Sequence, residues 1–365
     1  MRGSKAGNPR ATLITPARKA VVEEDLARIT GASLAWSELA GKTVLVSGAN
    51  GFLPAYLVET CLYLNEHHLA KPIRILGLVR NRAKAETRFA LYRQRSDLQL
   101  LVQDVCSPVT VDGPVDYVIH AASQASPKYY GTDPVGTLTA NTLGTHQLLQ
   151  LARDKASAGF LFFSSGEVYG QVPPAQIPTR ETDYGYLDPT AVRSCYAESK
   201  RLGETMCVSW AHQYQVPAKI VRPFHTYGPG MTLDDGRVFA DFVACIIQNR
   251  DLVLTSDGSA TRAFCYLADA VLGFFTVLLL GQTGQAYNIG NDRAETSIRD
   301  LATILITLFP EKQLRVIQRE GLTPAGYLQS PIARNCPDIS KARSLGWQPS
   351  VSVEEGFRRT IRSFL

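Results

Sequence analysis

Between Lys42 and Asn65 the chain reads KTVLVSGANGFLPAYLVETCLYLN, and no other stretch restricts its fold as strongly. Lys42 to Ser47 is a β-rich run. Gly48, Gly51 and Pro54 follow at the G-x-x-G-x-x-G spacing, and a helical pattern runs from about Tyr56 to Asn65. Glycines placed between a strand and a helix let the backbone approach a pyrophosphate at the helix N-terminus, where free N–H groups and the helix dipole favour anions. Pro54 stands where a third Gly or Ala is usual, and proline is acceptable in a first helical turn. Gly48, Asn50, Gly51, Phe52 and Leu53 are accordingly candidate cofactor-binding residues.

The alternation continues downstream. Strands are predicted at Ile73 to Val79, Leu98 to Val105, Asp116 to His120 and Phe160 to Phe163, with an amphipathic helix from Leu138 to Asp154 that turns Asn141 inward. Strands alternating with helices predict an α/β fold: a Rossmann-type parallel sheet with right-handed crossovers and helices on both faces. Ligands of such sheets bind beyond the carboxyl ends of the strands. There lie Asp104 and Val105, placed to meet adenine, and Ala121, Ala122 and Ser123, small enough for a ligand to pass closely. An acid at the end of the second strand would favour NAD by accepting hydrogen bonds from the adenosine ribose. The chain has Val79 and Arg80 instead. Arg80 as a partner for a 2′-phosphate favours NADP; the alternatives are stacking on adenine and a solvated surface arginine.

The chemistry is carried by Phe160 to Arg201. An apolar run there leads to a small polar turn holding Ser164, Ser165, Gly166 and Glu167, and a Pro- and Gly-rich loop leads on to Tyr196 and Lys200. In a helix spanning Arg193 to Trp210, Tyr196 and Lys200 stand at i and i+4 on one face. An ammonium so placed is expected to pull the phenol pKa down. A tuned phenol can take a proton from a sugar hydroxyl that Ser165 also binds, as a carbinol losing hydride to a nicotinamide requires. A lone Tyr-x-x-x-Lys is weak evidence in a chain with 15 tyrosines, and Glu167 could simply begin a helix. The order of Gly-rich turn, serine turn, Tyr and Lys is what favours the functional reading.

Past Lys219 the pattern changes. Ile220 to Phe224, which includes Pro223, is a further strand; Gly and Pro then cluster at Tyr227 to Met231, and the chain returns to the sheet near Ala286 to Ile289. The division predicted is an N-terminal extension over 1–35, a cofactor-binding domain over 36–222 and a mainly substrate-binding lobe over 223–365. Arg222, Arg262 and Arg334 suit bidentate contact with a diphosphate, or surface ion pairs.

A net charge of +5 is mild, and no aromatic-interleaved basic patch argues for nucleic acid. Seven cysteines form no C-x-x-C pair and read as reduced thiols of a cytoplasmic protein, and the six histidines lack metal-ligand spacing. The longest apolar run, Val271 to Leu280, is about half of the ~20 residues a bilayer demands, so no membrane partner is expected. Residues 1–22 are basic with no apolar core of a secretory signal; a helix is predicted from Val21 to Ile29.

GANGFLP, HAAS, SSGEVYG, YAESK, RPFHTYGPG, DGSATRAFCYLADAV, YNIGN and PDISKARSLGWQPS together resemble the extended short-chain dehydrogenase/reductases that act on nucleotide-activated sugars. The similarity covers roughly Leu39 to the C-terminus. SSGEVYG, RSCYAESKR, DGRV and ATRAFCY are most similar to the UDP-glucuronate decarboxylases. The resemblance implies Tyr196 as base, Lys200 on the nicotinamide ribose, Ser165 on the C4 hydroxyl, Glu167 near C5 and Arg262 on the diphosphate. It also implies substrate contacts from Gly166, His225, Arg237, Val238 and Arg334. The implied cofactor is a tightly held NAD, and the implied partner a second copy joined through a four-helix bundle of the helices near 138–154 and 193–210, where Leu148, Leu149, Met206 and Val208 supply apolar spacing. The implied reaction oxidises C4, loses carbon dioxide from the resulting β-keto acid and returns the hydride.

Two departures stand out: Val79 replaces an acid, and His225 replaces the Asn of an R-x-F-N-T motif. An epimerase needs the same Tyr and Lys and is the alternative. A 4,6-dehydratase would have an Asp where Gly166 stands, and a non-catalytic cofactor-binding protein would be expected to lose Tyr196 or Lys200.

Overall fold

The computed structural model describes residues 15–319 and 332–365. The chain enters through α1 (Pro16–Thr30), where the Thr15 side chain accepts from Arg18 N and Pro16 occupies the first turn. β1 (Thr43–Ser47) is buried along its whole length, as befits a strand covered on both faces. α2 (Phe52–His67) leaves the glycine turn, followed by β2 (Arg74–Val79), α3 (Arg82–Arg88), β3 (Leu98–Val102), β4 (Tyr117–His120), α4 (Lys128–Thr132), α5 (Pro134–Asp154), β5 (Gly159–Phe163), α6 (Ser194–Tyr214) and β6 (Ala218–Pro223). The rest of the chain builds β7 (Thr226–Tyr227), α7 (Val238–Ile247), β8 (Leu252–Leu254), β9 (Thr261–Ala263), β10 (Cys265–Tyr266), α8 (Leu267–Leu280), β11 (Ala286–Ile289), β12 (Glu295–Ser297), α9 (Ile298–Leu308), β13 (Val316–Gln318), β14 (Arg334–Asn335), α10 (Ser340–Arg343) and α11 (Val353–Arg362).

Seven strands form one parallel sheet in the order β11-β6-β5-β4-β1-β2-β3. The chain runs outward from β1 to β3, then restarts at β4 and runs the other way, so a crevice opens beyond the carboxyl ends of β1 and β4. Ser47 ties these two ends together. Its oxygen accepts from Ala121 N and Ala122 N, both at 3.1 Å, which leaves its O–H to donate to His120 Nδ1 at 2.9 Å. Smaller ladders, β10-β7, β12-β9-β14 and β13-β8, build the second lobe. One apolar core runs from Val44 and Leu57 through Phe274 to Trp347 and Phe357, so the lobe rests on the sheet's own helices.

Several boundaries move, each for a local reason. α2 begins at Phe52, before the apolar pattern starts, because Pro54 lies where no N–H partner is needed. β3 stops at Val102, and Asp104 turns the chain by accepting from Cys106 N at 2.9 Å. α1 is longer than its apolar stretch and docks on the body through Asp25. That fully buried carboxylate accepts from Tyr56 OH at 3.1 Å, Tyr266 OH at 2.7 Å and Arg359 at 2.8 Å. Leu148 and Leu149 lie in the subunit's own core, whereas Val135, Leu138 and Leu143 of α5 and Leu202 and Val208 of α6 are exposed.

Candidate active site

The crevice is a cavity of about 290 Å³ between the sheet's carboxyl edge and the second lobe. On the cofactor side, Gly48 has φ +64°, and a methyl group there would sit 2.8 Å from Ala122 Cα. Backbone thus passes backbone where only glycine fits. α2 starts at Gly51 with no side-chain cap and no acid in its first turn, and Gly51, Phe52 and Leu53 line the cavity. Unclaimed N–H groups at a helix start suit a pyrophosphate, so this end fits a dinucleotide. Ala121, Ala122 and Ser123 line the opposite wall, and the buried Ser123 Oγ has no protein partner. Asn50 lies half-buried outside the lining, as does the buried Val105, which packs against Gly144. Asn141 is buried in α5, where its Nδ2 donates to Ser199 Oγ at 3.0 Å. Arg80 and Asp104 are exposed and lie away from the cavity.

At the centre, β5 delivers Ser165, Gly166 and Glu167, and α6 delivers Tyr196 and Lys200, all of which line the cavity. Ser165 Oγ accepts from Glu167 N at 3.2 Å and so caps the short 3₁₀ turn Gly166–Tyr169. A Cβ at Gly166 would lie 3.2 Å from the Phe224 ring, so a side chain there requires the ring to give by a few tenths of an ångström. Lys200 is 2% exposed; its Nζ donates to Phe163 O at 2.6 Å, and burial lowers its pKa to about 7. The expectation that it lowers the phenol is corrected. Burial pushes Tyr196 above its ordinary value, while Ser165 and then Arg237 pull it back. Lys200 Nζ lies 5.8 Å from the Tyr196 ring, directed at the backbone of β5.

On the substrate side the arginines separate. Arg237 lines the cavity, with Nε 3.2 Å from Asp235 Oδ2 and Nη2 donating to Ala125 O at 2.9 Å; Val238 follows it as the first residue of α7. Arg222 is buried beneath the site, bidentate to Glu204 at 2.8 and 2.6 Å, and Glu204 also accepts from Ser164. Arg262 donates to the carbonyls of Thr261, Ile332 and Ala333, and the exposed Arg334 pairs with Glu295. Neither lines the cavity. His225 does; its Nδ1 is buried without a protein partner, and burial, followed by Arg262 and Arg237, drives its pKa well down.

Three residues that sequence reading passed over belong to this site. Tyr130 stacks on Tyr196, a tertiary contact that no local pattern announces. Asn335 lines the cavity and has a buried Oδ1 with no protein partner; strand alternation beside Arg334 was its available signal. Arg193 Nη1 lies 3.2 Å from Glu167 Oε2, and its place three residues before Tyr196 was the clue. Among the described residues no group of His, Cys, Asp and Glu could hold a metal ion, and no helix is long and apolar enough to cross a membrane.

The sequence model of the NAD dependent epimerase/dehydratase family matches residues 44–290. UDP-glucuronic acid decarboxylase 6 of Arabidopsis thaliana is 34% identical over 317 residues, 86% of each chain. UDP-glucuronic acid decarboxylase 1 of Danio rerio is 33% identical over 90% of this chain and 74% of its own. The fold is shared with a UDP-glucuronic acid 4-epimerase from Bacillus cereus, solved with UDP-glucuronic acid and NAD, at TM-score 0.71 and 22% identity over 88% of this chain and 98% of that one.

Proposed function

The chain belongs to the NAD dependent epimerase/dehydratase family, as an NAD-dependent nucleotide-sugar enzyme of the extended short-chain dehydrogenase/reductase type, and from that premise we propose that it decarboxylates UDP-glucuronic acid through transient oxidation at C4. The observation that carries the reading is the grouping of Tyr196, Ser165 and Glu167 in one cavity, with Gly166 standing where a dehydratase would have an acid.

In this reading Tyr196 takes the proton of the C4 hydroxyl, and Ser165 accepts or donates at the same oxygen. NAD, which Gly48 and the start of α2 would hold, would supply the hydride chemistry at C4. Lys200, anchored on Phe163 O, presents its remaining N–H bonds toward the cofactor ribose. With C4 a ketone, the C5–C6 bond breaks, its electron pair passes to C5 and into the carbonyl, and carbon dioxide leaves. Glu167 stands near C5 to govern the proton that C5 then takes up. His225 and Arg237, which line the cavity, serve the sugar and diphosphate end, with Val238 beside them at the start of α7. Arg262 and Arg334 are carried only by the family resemblance, since both are engaged elsewhere.

NAD, held tightly, is the cofactor proposed, because a hydride that returns to the same sugar requires no exchange; NADP is the alternative that Arg80 raised. The proposed division of labour keeps 36–222 for the cofactor and 223–365 mainly for substrate, after an N-terminal extension over 1–35. A homodimer through α5 and α6 is supported by their exposed apolar residues. A cytoplasmic setting is supported by seven unbridged cysteines.

Incubating the purified protein with UDP-glucuronic acid and identifying the product by mass spectrometry tests the reading. Loss of one carbon dioxide is expected. A product of unchanged mass epimerised at C4 would replace it with the epimerase reading, and no reaction would reject both.

A further inference from the structure

The proposed reaction asks Tyr196 and Ser165 to meet at one oxygen, yet they arrive on different elements, the phenol from α6 and the serine from the turn after β5. Two side chains of α6 stitch the end of β5 to that helix. Lys200 Nζ donates to Phe163 O at 2.6 Å, and Glu204, one turn further along the same face, accepts from Ser164 Oγ. Consecutive residues of the strand end are thus tied to consecutive turns of the helix that carries Tyr196. Ser164 is also fixed through its backbone, whose N–H donates to Val221 O at 2.8 Å. Glu204 in turn is locked from β6. Arg222 holds its Oε1 through Nε and its Oε2 through Nη2, while Arg222 Nη1 donates to Tyr169 OH and Glu181 O. Glu204 and Arg222 are buried behind Ser164 and are not part of the cavity wall, so both act on the site only through what they hold. At the phenol itself, Ser165 is the hydrogen-bonding neighbour that draws Tyr196 down against the effect of burial.

We propose that Glu204 is a positioning residue for the oxidation at C4, acting through Ser164 to hold the Ser165 turn in register with Tyr196. A carboxylate oxygen can accept from a hydroxyl and a guanidinium at once, and the bidentate fork on its far side fixes the direction from which it meets the serine. A reacting pair must be held to about 0.5 Å, and a locked carboxylate between strand end and helix meets that need. This rests on the roles of Tyr196 and Ser165 in the nucleotide-sugar reading but not on the fate of the ketone, so decarboxylation and epimerisation serve the test equally.

Ser164→Ala removes the hydroxyl and leaves Glu204 satisfied by Arg222. With NAD-loaded protein and UDP-glucuronic acid, counting product of lower or unchanged mass together, kcat is expected to fall about tenfold while KM stays within about twofold and NAD is retained. Glu204→Asp keeps a carboxylate for Arg222 but withdraws it from Ser164, and should show the same split; it carries the test if melting and NAD retention show Ser164→Ala to be misfolded. Tyr169→Phe cuts the same network on the far side of Arg222 and should lower the melting temperature without the loss of kcat. Unchanged kcat, a loss confined to one of Ser164→Ala and Glu204→Asp when both fold, an equal loss in Tyr169→Phe, or failure of both to fold would reduce the network to architecture and overturn the inference. A wild-type protein that forms no product would reject the decarboxylase and epimerase readings. Crystal structures of wild type and Ser164→Ala then decide: movement of Ser165 relative to Tyr196 by about 0.5 Å or more upholds the positioning role, and an unmoved turn overturns it.

Discussion

The rings of Tyr130 and Tyr196 lie 15° from parallel with centroids 5.0 Å apart. The Tyr130 hydroxyl is pinned to Ala125 O at 3.1 Å, so its ring is a fixed platform that limits where the Tyr196 phenol can point. Tyr130→Phe keeps the platform and should stay close to wild-type turnover. Tyr130→Leu frees the phenol and should lower kcat by about tenfold or more, since small displacements at a reacting centre are costly. Equal losses in the two variants would mean that the hydroxyl, not the ring, matters.

Tyr196→Phe removes the proposed base and leaves the stack. Turnover should drop by about 10² or more while NAD is still retained after gel filtration. Near-normal turnover would remove Tyr196 from the mechanism.

Glu167→Gln should separate the steps. With Ser165 capping the turn in its place, loss of the charge is not expected to unfold the site. Mixing the variant with UDP-glucuronic acid should give dihydronicotinamide absorbance, while release of carbon dioxide falls sharply. If both signals fall together, Glu167 serves the oxidation as well.

His120 sets part of the acid limit. Burial, then the nearby Lys200, lowers its pKa from 6.5 to about 3, so the folded protein binds fewer protons there than the unfolded chain between those values. Its contribution to stability is complete above pH 6.5 and is lost as pH falls toward 3. Urea midpoints measured from pH 7 to 4 should decline more steeply for wild type than for His120→Gln. Parallel declines would assign the acid limit to other groups.

The exposed apolar stripe of α5 and α6 should be covered by a second copy. Leu143→Glu with Leu202→Glu is expected to convert a dimer into a monomer by light scattering at micromolar concentration, with the helical signal unchanged. A wild-type monomer would remove the interface.

The sheet was readable because β1 and β5 are apolar runs between glycines and β4 is a further short apolar run, and a strand buried on both faces can be little else. Tyr196, Ser165 and Glu167 share a cavity, as helical spacing and strand ends imply. The arginines were not readable. A guanidinium satisfies itself equally well with a carboxylate, a row of carbonyls or a phosphate, and only tertiary packing decides that Arg222 meets Glu204, Arg334 meets Glu295 and Arg193 meets Glu167. Nor could spacing tell that burial would raise the Tyr196 phenol while Lys200 turns to the Phe163 carbonyl.

Asp25 has a consequence for the order in which the molecule is made. Its carboxylate is completed by Tyr56, by Tyr266 and, across 334 positions of sequence, by Arg359 in the last helix. While the chain is still on the ribosome, α1 and α2 can pack, but the acid between them waits for its cation. An ion left alone in a closed interior costs roughly 3–5 kcal/mol. The nascent protein is therefore expected to keep its first helix loosely docked until α11 has emerged, so that its beginning and its end become native in a single closing step.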